Sequence, residues 1–360
     1  MDLKQLARVL DLSPTTVSRA LNGYAEVSEA TRLRVMAAAA EYGYKPNFAA
    51  RRLALQKSET VGIIYPPEVG ELADPRFLEV VAGMTERFSE LGIDLLIVTT
   101  RQKDELATYA RMVQGRRVDA LIVARTRVED VRVDYLLASG FPFVAYGRTT
   151  RCDEYAWFDF DNALGTELAV QRLVGFGHRD IAYVQAPQLL NFAAQRYAGY
   201  RQGLAQAGLS EHGEWVVPSP MSRRGGFEAM RRLLALAKPP TAVIVDNNLA
   251  GIGAVRAVLD AGVSLGREVS VIVYDGVPED NLLPSPAITS IDQPTPHRAG
   301  EMLAGLMQKM QQRVPLEDLQ VLWHPSITPG DSDGPAPGRA ANTLPRSSPI
   351  IPAPLPPPPT

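Results

Sequence analysis

The sequence predicts an all-α head followed by an α/β core of two parallel-sheet sub-domains, and three observations carry that expectation. Residues 1–55 hold short amphipathic helical stretches and no strand signal. Residues 60–328 alternate continuously apolar, β-branched runs with helix-length segments, the pattern of βαβ units with strands buried on both faces. About 270 residues of this pattern is long for one open sheet and suits two. From residue 331 the composition shifts again, to ten prolines in thirty positions ending PAPLPPPPT, so residues 329–360 are expected to be a disordered or polyproline-like tail.

At 360 residues, 46% hydrophobic and 21% charged, the chain has the apolar mass for real cores. No apolar run approaches the ~18 residues of a membrane span. The opening MDLKQLARVL carries charges in its first turns, so no signal peptide is expected. One cysteine, Cys152, makes neither an internal disulfide nor a cysteine metal cluster and fits a reducing cytoplasm. The four histidines (His178, His212, His297, His324) are scattered without a metal motif, and Gly251-Ile252-Gly253 lacks a third glycine and a phosphate-loop lysine. No enzyme constellation, cofactor or metal is expected. Charge is uneven: residues 1–58 hold nine Lys/Arg against five acids, +4, and the remainder is −7. A basic head on an acidic body points to a polyanion partner for the head, although four surplus charges also read as a solvated surface.

In the head, Asp2 and Gln5 form a capping-box pattern that starts a helix to about Leu10, with Leu3, Leu6, Ala7 and Leu10 on one face. Ser13-Pro14 supplies an N-cap and a first-turn proline for a second helix, closed by Gly23. Two short helices joined by a tight turn make a helix-turn-helix, whose second helix enters the DNA major groove. Val17, Ala20 and Leu21 face inward, leaving Thr15, Thr16, Ser18 and Arg19 as polar groups. Arg19 suits a bidentate contact to guanine; the hydroxyls suit bases, phosphates or plain solvent. A third helix starts at Ser28 and ends near Tyr42-Gly43, and Asn47 caps a fourth that is too short to be stable alone. Its Arg51 and Arg52 beside Leu53 suit a minor-groove element with an apolar wedge, while composition alone reads as a linker.

In the core, strands are expected at Val61–Tyr65, Asp94–Thr99, Ala120–Ala124, Phe143–Tyr146, Ile181–Gln185, Ala242–Val245 and Val269–Tyr274, with helices such as Pro75–Leu91 and Ala163–Phe176 between them. Ligands of such folds lie beyond the carboxyl ends of the strands, here Tyr65, Thr99, Gln185, Asp246 and Asp275, where ordinary loop and cap residues also lie.

Ser13-Pro14-Thr15-Thr16-Val17-Ser18-Arg19-Ala20-Leu21-Asn22-Gly23, Gly43-Tyr44-Lys45-Pro46-Asn47 and Ala50-Arg51-Arg52-Leu53 resemble the lactose/galactose-repressor (LacI/GalR) family. The likeness continues through Val61-Gly62-Ile63-Ile64, Gly177-His178-Arg179-Asp180-Ile181, Arg196-Tyr197-Ala198-Gly199-Tyr200, Val269 to Gly276 and Ile291-Asp292-Gln293-Pro294, reaching residue 328 or so. The resemblance implies a DNA-binding headgroup at 1–46, a hinge helix and linker at 47–58, and an effector-binding and dimerisation core at 59–328. That core would resemble type I periplasmic sugar-binding proteins, its two sub-domains split near 161 and 291. It implies a homodimer on double-stranded operator DNA, probed by Thr15, Thr16, Ser18, Arg19, Asn47 and Arg51, with Leu53 as the minor-groove leucine. Position-matching implies a cleft of Phe77, Asp161, Phe192, Arg196, Asn247 and Asp275. Arginine and carboxylates hold hydroxyl pairs, and rings cover a pyranose face. For Arg196 and Asp275 the pocket is favoured over a structural ion pair, while the phenylalanines would equally be core. Met221 stands where several members place an aromatic ring, which favours a sugar effector over a stacked purine. The expected function is a cytoplasmic, effector-controlled transcription regulator, a repressor. A periplasmic-type sugar binder, or a regulator responding to a non-sugar metabolite, is the alternative.

Overall fold

Short side chains that satisfy helix ends shape the head. The computed structural model describes residues 1–21, 23–44, 57–65, 74–277, 287–293 and 295–338. The chain divides into two units, Met1–Ser58 and Glu59 onward. In the first, α1 (Leu3–Leu10) opens on the expected capping box: Gln5 N–H donates to Asp2 Oδ1 at 2.8 Å, and Asp2 N–H donates to Gln5 Oε1 at 2.8 Å. α2 spans Pro14–Leu21 and α3 spans Glu29–Glu41, the latter capped by Ser28. Leu6, Ala7, Leu10, Val17, Ala20, Val35, Ala38 and Ala39 form their shared core.

The second unit carries two six-stranded sheets. The first has the order β11-β5-β4-β3-β1-β2. Its strands are β1 (Thr60–Tyr65), β2 (Asp94–Thr99), β3 (Ala120–Val123), β4 (Phe143–Tyr146), β5 (Ala156–Phe160) and β11 (Gln320–Trp323). Its helices are α4 (Pro75–Glu90), α5 (Glu105–Gln114), α6 (Val131–Ser139) and α11 (Pro296–Gln311). The second sheet has the order β12-β10-β9-β8-β6-β7. It comprises β6 (Ile181–Gln185), β7 (Val216–Pro218), β8 (Ala242–Val245), β9 (Ser270–Tyr274), β10 (Thr289–Asp292) and β12 (Ser326–Thr328). Its helices are α7 (Asn162–Gly175), α8 (Asn191–Gln206), α9 (Arg223–Leu234) and α10 (Asn248–Asp260). Every pairing is parallel except β10 with β12. The chain passes between the sheets after β5, after β10 and after β11.

All seven expected strands form, and all are buried except the edge strand β2. Apolar clusters cover both faces of each sheet, as continuously apolar strands require. Helix pairs approach at small residues. A Cβ on Gly253 of α10 would fall 1.8 Å from Arg223 O, and one on Gly83 of α4 would fall 2.0 Å from His297 O. In Gly251-Ile252-Gly253, Gly253 therefore packs on a helix and Gly251 on Val273 of β9.

One expectation needs correction. Residues 329–336 are not a disordered tail but part of the second sub-domain. Val271 N–H donates to Ser332 O at 2.8 Å, Ser332 Oγ–H donates to Val271 O at 2.6 Å, and Asp333 is paired with Arg172 at 2.5 Å. Ala336 N–H reaches Phe176 O at 3.0 Å. Small polar residues here supply backbone and side-chain partners to buried strand groups, which a count of prolines and glycines conceals. Residues 339–360 lie outside the described residues.

His178 fastens this segment. Gly334 O can only accept, so Nε2–H donates to it at 2.9 Å, and Nδ1 takes the Thr241 hydroxyl at 2.9 Å. Burial holds the imidazole below its ordinary value of 6.5 and keeps it neutral. A folded-state value below the unfolded one means that this contribution is complete above about pH 6.5 and is lost as pH falls through the folded-state value. His178→Leu is expected to lower core stability by about 3 kcal/mol at pH 7.5, because Gly334 O and Thr241 Oγ1 lose their shorter bonds and keep only Ser270 at 3.4 Å and Asp180 at 3.3 Å. Urea unfolding followed by the fluorescence of the three tryptophans should show that deficit shrinking at pH 5.5. A pH-independent deficit would assign His178 a packing role only.

Candidate functional site

Two sites emerge, one in each unit. On α2, Ser13 Oγ accepts Thr16 N–H at 3.0 Å and shares a 2.8 Å hydrogen bond with Thr16 Oγ1, so Thr16 belongs to the cap that orients the helix. Thr15 is exposed and Ser18 half-buried. Arg19 is paired with Glu26 at 2.9 Å, both side chains being more than half exposed, at 51% and 67%. Such a pair contributes about 0–1 kcal/mol, less than the roughly 1–3 kcal/mol of a bidentate arginine–guanine contact, so Arg19 can exchange Glu26 for a base. Asn47, Arg51 and Leu53 lie outside the described residues.

In the core, a cavity of about 150 Å³ opens between the carboxyl ends of the two sheets. Its lining takes Asp74, Arg76 and Phe77 from the start of α4, Tyr146 and Phe160 from the ends of β4 and β5, Asn247 and Asn248 after β8, Asp275 after β9 and Gln293 after β10. Pro75 at the first position of α4 and Asp74 as its cap, accepting Arg76 N–H at 3.1 Å, aim that helix end at the cavity. Contacts that span the cleft at the cavity include Asn248 Nδ2 donating to Asp74 Oδ1 at 3.0 Å and Arg76 donating to Asp275 Oδ1 at 3.1 Å. Burial pushes the Asp74 carboxyl upward, opposed by hydrogen bonds from Asn248 and the Arg76 backbone. Asn247 Oδ1 caps α10 through Leu249 and Ala250 N–H, so its amide nitrogen is the group it can present.

Asp275 holds a left-handed backbone at φ +66°, uncommon outside glycine and asparagine, while its N–H reaches Ile291 O at 2.8 Å. Behind it lies Arg196, only 4% exposed. Its guanidinium donates to Asn162 Oδ1 at 3.0 Å and to Asp246 O at 2.6 Å, stands 3.4 Å from Asp246 Oδ1 and 3.6 Å from Asp275 Oδ2, and stacks 3.3 Å from the centre of the Tyr274 ring.

Of the six cleft residues expected, Phe77, Asn247 and Asp275 line the cavity, and Arg196 contacts Asp275 from beneath. Phe192 is not on the wall: it packs with Ala186, Leu190, Ala193 and Met221, under the Arg196 guanidinium at 4.7 Å. Asp161 is not there either. It caps α7 by accepting Leu164 N–H at 3.0 Å, and its own N–H donates to Trp323 O at 2.8 Å. Two residues earlier on β5, Asp159 is a buried acid bound to Arg148 at 2.8 Å. Sequence reading missed Arg76, Tyr146, Phe160, Asn248 and Gln293. The strand-end rule that found Asp246 and Asp275 would have found Tyr146, Phe160 and Gln293, had it been applied to β4, β5 and β10.

A helix-turn-helix and a two-lobed ligand-binding core in one chain define an effector-controlled DNA-binding regulator. Residues 2–47 match the model of bacterial regulatory proteins of the lacI family, and residues 58–318 match that of periplasmic binding proteins and the sugar-binding domain of the LacI family. The chain belongs to the LacI family and is a DNA-binding transcription regulator. It is 37% identical over 333 residues to the HTH-type transcriptional regulator RafR of Escherichia coli, covering 92% of this chain and 98% of that protein. It is 36% identical over 357 residues to the HTH-type transcriptional regulator AglR of Rhizobium meliloti, covering 98% and 99%. Among solved structures it is similar to the complex of the transcriptional regulator CelR with cellobiose, with a TM-score of 0.70 at 28% identity over 92% of this chain and 99% of that one. No helix among the described residues is long and apolar enough to cross a membrane.

Arg196→Ala is expected to cost about 3 kcal/mol at pH 8, because Asp246 is left buried without its cation. Burial already pushes the Asp246 carboxyl up to about 7 against the opposing pull of Arg196, so loss of Arg196 moves it higher. A carboxyl raised above its unfolded value loses stability as pH rises, so the deficit should be smaller at pH 6 than at pH 8. Denaturant unfolding at both values checks this; equal deficits would count against the Arg196–Asp246 pairing.

Proposed function

We propose that this protein is a cytoplasmic homodimeric repressor without enzymatic activity. Its operator affinity would be set by a sugar bound in the core cleft. The observation that carries the reading is the cavity wall, where carboxylates, amides and a guanidinium converge beside the rings of Phe77, Tyr146 and Phe160. That combination suits a molecule with many hydroxyls on an apolar ring face. The cellobiose held by CelR, a relative in fold and sequence, supports the same ligand class. Fluorescence anisotropy of operator DNA with and without a panel of mono- and disaccharides, sugar phosphates and purines tests the proposal. A purine alone altering DNA affinity would favour the non-sugar reading.

In the operator complex, Thr15, Ser18 and Arg19 would face the major groove, with Thr16 setting the helix start. Asn47, Arg51 and Leu53 would serve the hinge that the family resemblance implies. Arg19→Ala should weaken specific binding by about 1–3 kcal/mol and relax selectivity at one base pair. An equal loss on all sequences would make Arg19 a phosphate contact.

For the dimer, the support is an apolar edge with no strand beyond it among the described residues. β2 ends the first sheet, and Leu96 and Ile97 upon it, with Leu78 on α4, are 37%, 39% and 53% exposed. Exposed apolar edge strands are normally covered. Ile97→Asp should convert a dimer into a folded monomer in size-exclusion chromatography with light scattering. A variant that stays dimeric would move the interface elsewhere.

A further inference from the structure

We propose that the cleft selects uncharged sugars and discriminates against their carboxylate and phosphate counterparts, an inference that rests on the reading of the cleft as a sugar site. Arg76 is the one cation among the described residues lining the cavity, against two carboxylates, Asp74 and Asp275. Its guanidinium is already engaged: one nitrogen donates to Asp275 at 3.1 Å and another stands 4.0 Å from Asp292. The next guanidinium inward, Arg196, is held between Asp246 at 3.4 Å and Asp275 at 3.6 Å. Two cations are thus shared among three carboxylates, and Asp74 adds a fourth on the wall.

An anionic ligand has two options in this arrangement. It can displace a carboxylate from a guanidinium, leaving that carboxylate unpaired, or it can lie among acids without a partner. Either is unfavourable where water is partly excluded, and unpaired like charge is a general means of rejecting a wrong ligand. A neutral polyol meets neither difficulty. Its hydroxyls donate to Asp74 and Asp275 and accept from Arg76 and the amides of Asn247, Asn248 and Gln293, leaving the ion pairs in place.

The test is thermal shift followed by calorimetry on the full chain at pH 7.5, with matched sets: glucose, glucuronate and glucose 6-phosphate; their galactose counterparts; cellobiose and cellobionate. The expected result is that at least one neutral member binds and that its charged counterparts bind at least tenfold more weakly. Asp292→Asn, altering a partly exposed carboxylate at the cleft edge, should narrow that gap by threefold or more, because Arg76 is then less neutralised. A charged sugar that binds as tightly as its neutral counterpart overturns the proposal. An undiminished gap in Asp292→Asn overturns its electrostatic basis in favour of shape. Silence from every sugar, neutral and charged, instead overturns the sugar reading itself and this inference with it.

Discussion

The buried guanidinium of Arg196 fixes the geometry on which the cleft depends. A cation removed from water is tolerated only when nearly all its donors and its faces are satisfied. Arg196 meets that condition through Asn162 at the start of α7, Asp246 at the end of β8, Asp275 after β9 and the ring of Tyr274. The demand runs outward from there. Asn162 also donates to Asp159 at 3.2 Å and to Gln195 at 3.1 Å, and Asp159 in turn holds Arg148. One charge therefore registers the strand ends of the second sheet against β5 of the first, and Asp275 keeps its left-handed backbone because partners on several sides determine its position.

The two lobes differ from the joint between them in how they are held. Within each lobe, apolar clusters and helix crossings at glycine separation leave no room for sliding. Between the lobes the links are polar: Asn248 with Asp74 and Arg76 with Asp275 at the cavity, and elsewhere Asn191 N–H to Thr126 O at 2.9 Å, Val128 N–H to Leu189 O at 3.1 Å and Asn191 Nδ2 to Arg148 O at 2.8 Å. Partly exposed hydrogen bonds and ion pairs contribute about 1 kcal/mol each, so a change in the angle between the lobes is opposed by a sum of small terms. A ligand that shifts such an equilibrium from 1:99 to 99:1 must favour one state by about 5.5 kcal/mol. Contacts with groups on both walls, which no open state can supply together, are the means available to it.

Much of this was legible in the sequence, and the omissions share physical causes. The head could be read almost to the residue, because caps and first-turn prolines are local signals: Asp2, Ser13-Pro14 and Ser28 act where expected. Continuously apolar strands were equally plain. The strands missed were β5, β7, β10, β11 and β12, which are short, contain polar residues such as Asp159 and Ser290, or end a sheet. Residues 329–336 were misjudged because composition says nothing of which backbone groups a segment satisfies. In the cleft, Asp275 and Asn247 announced themselves at strand ends, whereas Arg76 gains its role from a carboxylate 199 residues away. No local pattern encodes that meeting.

Asp161, which caps α7 and does not line the described cavity, clarifies how the lobes are connected. It stands on the first of three segments joining the sheets, its N–H bonded to Trp323 O beside the third, and its carboxylate lies 3.8 Å from His324 on that third segment. Two of the three crossings are thereby tied to each other, and the same carboxylate caps α7. The remaining crossing begins at Gln293, which lines the cavity. Lobes joined by three such segments can change their angle only by bending there, since the packed cores on either side do not deform. A ligand reaching Gln293 touches the crossing that Asp161 does not tie, so its binding energy acts on the hinge as directly as on the walls.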